Sequence, residues 1–246
     1  MRIAIVAAHP DDETIGASAL MAANDDILVV HVTDGAPRSS RWWPAGWTDR
    51  DAYARERDHE ARRALTIVGA ARTALGFEDQ ATVFVLGELV AALSRELARW
   101  QPDAIVSHAY EGGHPDHDAV ACAVAHAAAS VPVFEMALYH GATGALCAGE
   151  FLGPPLGLRH VLTAPQRERK RAMLAQYRSQ QATLSPFLEL AHECYRRAPA
   201  YDFSRPPHGG PLQYERWDMA PTGARWRAAA SRWIASRPRA GAGSVR

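Results

Sequence analysis

Apolar and polar positions follow two periods along the first 140 residues of the chain. Near-continuous apolar runs of strand length occur at residues 3–6, 27–32, 73–77, 104–109 and 131–139. Such runs are typical of strands that are buried on both faces of a parallel sheet. Segments whose apolar residues recur at helical spacing, or are small, follow these runs at residues 14–23, 50–68, 87–100 and 116–130.

Strand and helix patterns therefore alternate through this region, which predicts a doubly wound α/β fold. We expect a mostly parallel sheet with helices on both faces, in a single domain. Ligands of such sheets bind outside the carboxyl ends of the strands. Polar residues directly behind the apolar runs are therefore the first candidates for a functional site.

The pattern becomes less regular after Gly141. Helical spacing returns at residues 166–184 and 224–236, and proline-rich residues 198–211 predict loops. We expect one domain over residues 1–237, with a core at 1–140 and an irregular C-terminal extension at 141–237 that shapes the substrate site. Residues 238–246 are predicted to form a flexible tail.

Composition excludes several classes of partner for this 246-residue chain. Its 27 basic and 27 acidic side chains cancel, which argues against nucleic-acid binding. No apolar run approaches the roughly 18 residues of a membrane span, so membrane insertion is not expected. Three cysteines without CxxC spacing favour a cytoplasmic protein over a disulfide framework. A homo-oligomer is compatible with the sequence.

Two short polar motifs stand at the ends of apolar runs. The segment Ala8-His9-Pro10-Asp11-Asp12-Glu13 follows the first run, and Gly112-Gly113-His114-Pro115-Asp116-His117 follows the run at 104–109. Proline fits the first turn of a helix, and acids favour its positive end. We therefore expect both motifs to lie at helix starts on the same edge of the sheet.

The residue types of the two motifs are those of a metal site with a free acid or base beside it. Imidazole nitrogens and carboxylate oxygens bind zinc, and catalytic zinc keeps one position open for water. A carboxylate that does not bind the metal can then accept the proton of that water. The spacing assigns no individual roles among the candidates His9, Asp11, Asp12, His114, Asp116 and His117.

Together with Tyr110-Glu111, which precedes the second motif, these two segments resemble the PIG-L/LmbE-type zinc-dependent N-deacetylases. The segment Tyr177-Arg178-Ser179-Gln180 resembles a later helix of the same family. The resemblance implies a Rossmann-like enzyme that removes acyl groups, usually acetyl, from the amino nitrogen of glucosamine-containing compounds.

The resemblance also implies roles for the motif residues. It implies three ligands of Zn²⁺, or of another divalent metal: His9, Asp12 and His117. Asp11 becomes the general base on the metal-activated water. His114 becomes the group that stabilises the intermediate or protonates the leaving amine, and Asp116 orients and tunes His114.

Four further residues are candidates for substrate contacts: Arg57, Asp79, Tyr110 and Trp43. Arg57 belongs to a family Arg-x-x-Glu pattern, and Asp79 stands where relatives place a group that binds a sugar hydroxyl. In one branch of the family a tyrosine replaces Gly112 and helps the oxyanion; here Tyr110 is the nearby tyrosine. Trp43 lies in a tryptophan-rich loop whose aromatic faces are suited to stacking.

The sequence thus predicts a metal-dependent amidohydrolase that removes an N-acyl group, acetyl in the first instance, from a small-molecule amino sugar such as an N-acetylglucosamine conjugate. Two alternatives stay open. One is an amidase that cleaves a thiol or natural-product conjugate on the same metal site. The other is a non-catalytic Rossmann-like binding module, which is disfavoured because the first turn lacks the G-x-G-x-x-G glycines that admit a pyrophosphate.

Overall fold

The computed structural model describes residues 1–153 and 157–237. The predicted tail at residues 238–246 lies outside the described residues. Among the described residues, no helix is both long and apolar enough to cross a lipid bilayer.

The elements in chain order are nine strands and eight helices over the described residues. The strands are β1 (Ile3–Ala7), β2 (Ile27–Pro37), β3 (Ala71–Asp79), β4 (Ala104–His108), β5 (Val133–Met136), β6 (Tyr139–His140), β7 (Cys147–Ala148), β8 (Leu158–Val161) and β9 (His192–Arg197). The helices are α1 (Asp12–Ala22), α2 (Arg50–Thr66), α3 (Leu86–Trp100), α4 (Pro115–Ala127), α5 (Ala164–Leu174), α6 (Gln181–Leu184), α7 (Gln213–Arg216) and α8 (Gly223–Ser236).

Seven strands form one sheet in the order β3-β2-β1-β4-β5-β9-β8. The first five strands are parallel, and β9 and β8 join antiparallel at one end. Every residue of β1 is buried, as the apolar run predicts for a central parallel strand. The mostly parallel α/β sheet is therefore confirmed. The C-terminal part extends this sheet through β8 and β9.

Helices cover both faces of the sheet, as predicted. On one face α3, α4 and α8 contribute to a core that includes the fully buried Leu89 and Leu93. On the other face α1, α2 and α5 contribute to a second core with Ala61 and Leu65. Burying a leucine of this kind stabilises the fold by about 1.5–3 kcal/mol, so both layers hold the sheet rigid beneath its carboxyl edge.

The helix predicted over residues 166–184 is shorter in the structure. α5 ends at Leu174, and tight turns then lead into α6. The reason is tertiary, because the Tyr177 hydroxyl donates to Glu13 Oε1 (2.7 Å) and the Ser179 amide donates to Glu60 Oε1 (2.6 Å). These bonds draw the segment between α5 and α6 towards the carboxyl edge of the sheet.

The last helix anchors the second motif. Trp226 of α8 is fully buried, and its indole N–H donates to the Pro115 carbonyl at 2.9 Å. A buried indole is stable when its N–H has a partner. The C-terminal extension therefore helps to hold the start of α4 in place.

Candidate active site

The two motifs meet at the carboxyl edge of the sheet because β1 and β4 are adjacent and parallel. His9 follows β1, and His114 follows β4 through a short loop. The rings of His9 and His114 lie 4.4 Å apart between centroids, and those of His9 and His117 lie 5.3 Å apart. The expected convergence of the motifs is thus present in the fold.

The first motif turns sharply between β1 and α1. Asp11 has φ = +122°, a conformation that side-chain-bearing residues rarely adopt. Its amide donates to Glu13 Oε2 at 3.1 Å, and Glu13 is itself held by His31 at 2.8 Å. The His9 amide donates to Asp12 Oδ2 at 2.8 Å. This strained turn presents the side chains of His9, Asp11 and Asp12 to the same cavity.

The second motif begins α4. His114 is the N-cap residue, and its Nδ1 accepts the amide hydrogen of Asp116 at 3.2 Å. Pro115 occupies the first turn, where its fixed φ fits the helix. His117 then lies one turn into α4, and its Nε2 is 3.2 Å from Asp12 Oδ1.

Several overlapping sets of side chains could hold a metal ion. In each set the ligand atoms lie within 4.8 Å of one another: His9, His114 and His117; His9, Asp79, His114 and Asp116; Asp12, His108 and His117. Within residues 1–153 and 157–237, His117 Nε2 and Asp79 Oδ1 are buried without a hydrogen-bond partner. Such unpartnered nitrogen and oxygen atoms fit a divalent cation, which takes imidazole and carboxylate ligands.

His108 differs from the other histidines of the cluster. Its Nε2 accepts the amide hydrogen of Ala8 at 2.8 Å, and its ring stacks on that of His117 with centroids 4.2 Å apart. Because this nitrogen already has a backbone donor, His108 supports the cluster by fixing the position of His117.

The electrostatic field at the cluster favours a cation. Burial lowers the pKa of His9, but Asp79, Asp116 and Asp12 together raise this pKa well above its usual value. Burial alone raises the pKa of Asp12, and His117 and His9 lower it well below its usual value. The carboxylates thus stabilise positive charge at the position where the ligand atoms converge.

Asp11 is bonded to Arg57 and belongs to none of the sets of candidate ligands. The Arg57 guanidinium donates to Asp11 Oδ2 at 2.9 Å and lies 3.4 Å from Glu60 Oε2. Glu60 in turn accepts from the Ser179 hydroxyl at 2.7 Å. Burial raises the pKa of Asp11 to about 7, although the guanidinium of Arg57 lowers it. Asp11 is therefore a positioned carboxylate that lines the cavity beside the cluster.

The expected pairing of Asp116 with His114 is corrected by the structure. Asp116 Oδ2 lies 3.2 Å from His9 Nε2 but 4.0 Å from His114 Nδ1. Its carboxylate also accepts from the Gln80 amide (2.6 Å) and the Thr82 hydroxyl (2.5 Å). Asp116 therefore orients His9, because the Asp116 amide already uses the near nitrogen of His114.

A cavity of about 320 Å³ opens over the cluster. Part of its lining, the polar wall, consists of Tyr53, Arg57, Asp79, Gln80 and Gln180. Much of the remaining lining is apolar and includes Trp42, Tyr139, Leu184, Phe187, Trp217 and Met219. The cluster thus forms the floor of a site with room for a small organic substrate.

The sequence matches the GlcNAc-PI de-N-acetylase (PIG-L) family over residues 4–128. The chain belongs to the PIG-L family. The match spans both motifs, so the clustered histidines and aspartates lie in the part of the chain that carries the family likeness.

Two curated relatives cover different shares of this PIG-L chain. The mycothiol S-conjugate amidase of Streptomyces coelicolor is 34% identical over 143 residues, which is 48% of each chain. The chain thus spans about half the length of that relative. The probable N-acetyl-alpha-D-glucosaminyl L-malate deacetylase 2 of Bacillus anthracis is 30% identical over 161 residues, covering 62% of this chain and 70% of the relative.

Solved structures show the same fold. The crystal structure of the A40926 pseudoaglycone deacetylase matches with a TM-score of 0.62 at 21% identity, covering 81% of this chain and 99% of the other. The likeness therefore extends into the part of the chain beyond residue 128, which the family match does not reach.

Two of the four predicted substrate contacts line the cavity of this PIG-L chain, namely Arg57 and Asp79. The other two do not. Tyr110 stacks on Trp226 with centroids 5.3 Å apart, and its hydroxyl donates to the Arg205 carbonyl. The indole of Trp43 donates to the Pro37 carbonyl at 2.8 Å. The polar groups of both residues therefore bond to neighbouring loops, and neither residue is among those that line the cavity.

Sequence reasoning missed Tyr139, an aromatic residue beside the candidate metal cluster. Its ring lies 5.1 Å from that of His117, and burial together with nearby carboxylates raises its pKa well above the usual value. A Cβ atom at Gly113 would lie 2.2 Å from the Tyr139 carbonyl oxygen. The Gly112-Gly113 pair was the available signal, because it indicates close backbone approach without naming the partner.

Proposed function

We propose that the chain is a metal-dependent amidohydrolase that removes an N-acyl group from an amino sugar in an N-acetylglucosamine-type conjugate. The observation that carries the proposal is the convergence of two His/Asp turns beside a separately held carboxylate, Asp11. The names of the two relatives, an amidase and a glucosaminyl deacetylase, support amide-bond cleavage. The polar wall with Arg57 and Asp79 supports a substrate that bears hydroxyl groups.

His9, Asp12 and His117 would hold the metal, and Zn²⁺ suits two imidazoles and one carboxylate. When bound, such an ion supplies a Lewis acid that polarises a carbonyl group and lowers the pKa of water to about 7. Asp116 keeps His9 in the required orientation through its 3.2 Å contact with Nε2, as carboxylates beside ligating histidines do.

Asp11 is the proposed proton acceptor. Arg57 holds one of its oxygens, which fixes the carboxylate towards the cavity. The water that attacks the amide carbon loses a proton to Asp11, and the amide nitrogen must gain one before the C–N bond breaks. Asp11 therefore stores the proton that the departing amine needs.

His114 is the proposed hydrogen-bond donor to the tetrahedral intermediate, whereas the proton of the leaving amine comes from Asp11. Its Nδ1 accepts a backbone hydrogen bond, so the neutral ring carries its proton on Nε2. His114 also lines the cavity. The N-cap position thus fixes both the tautomer and the direction of this imidazole.

We expect Tyr139→Phe to lower kcat by about 100-fold, because removing one hydrogen-bond donor to a developing oxyanion costs about 10²–10³. Tyr139 lies beside His117 and supplies a phenol at the wall of the cavity. Steady-state kinetics on an N-acylglucosamine substrate measure the effect. Tyr201→Phe, which removes a hydroxyl that contacts Arg196 outside the cavity lining, is the matched control. An unchanged kcat in Tyr139→Phe would limit this residue to a packing role.

The test of the proposed function uses the full chain loaded with Zn²⁺. Incubation with N-acetylglucosamine and its glycosides should release primary amine and equimolar acetate. Chelation should abolish the release, and added Zn²⁺ should restore it. Ligand binding without any turnover would instead support a non-catalytic module and overturn the proposal.

A second candidate is cleavage of a thiol conjugate at the same site, which the 34% identity with a mycothiol S-conjugate amidase favours. The bond is again an amide, so the same side chains would act. An N-(acylcysteinyl)glucosamine substrate separates the two activities. Release of the cysteine derivative, with no acetate formed from N-acetylglucosamine, would favour the amidase.

A further inference from the structure

The lining of the cavity beside the metal cluster contains two chemically different groups of side chains. Arg57, Asp79 and Gln180 present charged or amide groups on the polar wall. Leu184, Phe187 and Trp217 contribute to an apolar wall that comes from the C-terminal part of the chain. A site built only for acetyl-sized groups would need little of this apolar surface.

Aromatic contacts join the apolar wall to the metal cluster. The centroid of the Tyr139 ring lies 5.1 Å from the ring centroid of His117, 5.5 Å from that of Phe187 and 5.7 Å from that of Trp217. Phe187 is only 4% exposed, so its position is set by packing. The wall is therefore a continuous, preformed surface that begins next to the candidate ligands.

The two components of the amide that is cleaved differ in chemistry, and each suits one of the two walls. An amide places its amine component and its acyl component on opposite sides of the carbonyl carbon. A sugar on the amine side needs hydrogen-bond partners, which the polar wall provides. The acyl component is bonded directly to the carbonyl carbon at the cluster, and an apolar surface begins there at Tyr139, whose ring centroid lies 5.1 Å from that of His117.

We propose that the chain acts on N-acyl amino sugars whose acyl group is larger than acetyl, an aliphatic chain or an aryl-substituted chain. This inference rests on the proposed function and narrows its substrate class. The acyl chain lies along Tyr139, Phe187 and Trp217, which remove it from water. Burying each additional methylene strengthens the interaction about three- to fourfold.

The test compares N-acetyl-, N-butanoyl-, N-hexanoyl- and N-phenylacetylglucosamine as substrates of the Zn²⁺-loaded chain. We expect kcat/KM to rise about threefold per methylene over the first members of the series. The octyl glycoside of N-acetylglucosamine serves as the comparison for the other end of the substrate. If kcat/KM were higher for the octyl glycoside but did not increase with acyl length, the aglycone would lie on the apolar wall. This result would overturn the proposal.

Phe187→Ala tests the wall itself. We expect the ratio of kcat/KM for the hexanoyl substrate to kcat/KM for the acetyl substrate to fall about tenfold or more. Leu188→Ala, at an exposed neighbour outside the cavity lining, is the matched control. Trp217→Ala, at a half-buried position of the same wall, repeats the test if Phe187→Ala does not fold. Equal losses on both substrates would contradict the inference.

The two proposals fail in different ways. If no N-acylglucosamine is hydrolysed, the proposed function is wrong. If the acetyl substrate is hydrolysed as well as the longer ones, only the inference about the acyl group is wrong.

Discussion

We expect the His117→Ala chain to lose its divalent metal and its amide hydrolysis together. His117 Nε2 is buried 3.2 Å from Asp12 Oδ1, and no atom in the part of the chain that the structure describes meets hydrogen-bond geometry with it. Alanine removes one of three proposed ligands. We expect metal affinity to fall by more than about 100-fold, because loss of a residue that merely orients a ligand already costs 10–100-fold.

Loss of the metal is measured by mass spectrometry after dialysis. Loss of activity is measured as hydrolysis of an N-acylglucosamine. His126→Ala is the matched control, since His126 lies on the same helix and contacts Trp233 away from the cluster. A His117→Ala chain that retains its metal would contradict the proposed ligands. The set of His9, Asp79, His114 and Asp116 would then be the site of the metal.

We expect Asp11→Asn to lower kcat by about 10³-fold while metal content stays unchanged, because a positioned general base contributes about 10²–10⁴. Asparagine has nearly the same shape, and its amide oxygen can still accept from Arg57. It cannot accept a proton from water. The loss should therefore appear in kcat, with KM changed little.

Steady-state kinetics and metal analysis on the same preparation show whether Asp11 acts as a general base or as a metal ligand. Asp51→Asn is the control, because Asp51 is exposed on the first turn of α2 and lies outside the cavity lining. If Asp11→Asn retained full activity at normal metal content, Asp11 would not be the base. Loss of the metal in this variant would instead identify Asp11 as a ligand.

Much of the site could be located from the sequence because its parts are local. Each motif combines a strand end, a proline and several acids within a few residues, and this chemistry predicts a turn into a helix. Parallel neighbouring strands then place both turns at one edge. The nearness of His9, His114 and His117 follows from these two rules, and the structure shows it directly.

Partners that are distant in sequence could not be predicted in the same way. Asp116 was assigned to His114, its near neighbour in sequence, whereas its carboxylate contacts His9 of the other motif. The end of α5 is set by bonds from Tyr177 and Ser179 to residues more than 100 positions away. Hydrophobic periodicity indicates which face of a helix or strand is buried. It does not indicate which side chains of other segments contact that face.

The sequence by itself determined the α/β architecture, the edge of the sheet that carries the chemistry and the residue types of the candidate metal cluster. These features depend on periodicity and on turn chemistry within short segments. Only the tertiary structure decided that Tyr139, Phe187 and Trp217 line the cavity and that Tyr110 and Trp43 do not. The physical reason is that an aromatic ring can bury its area against a loop or beside a cavity, and packing between segments distant in sequence determines which of the two it does.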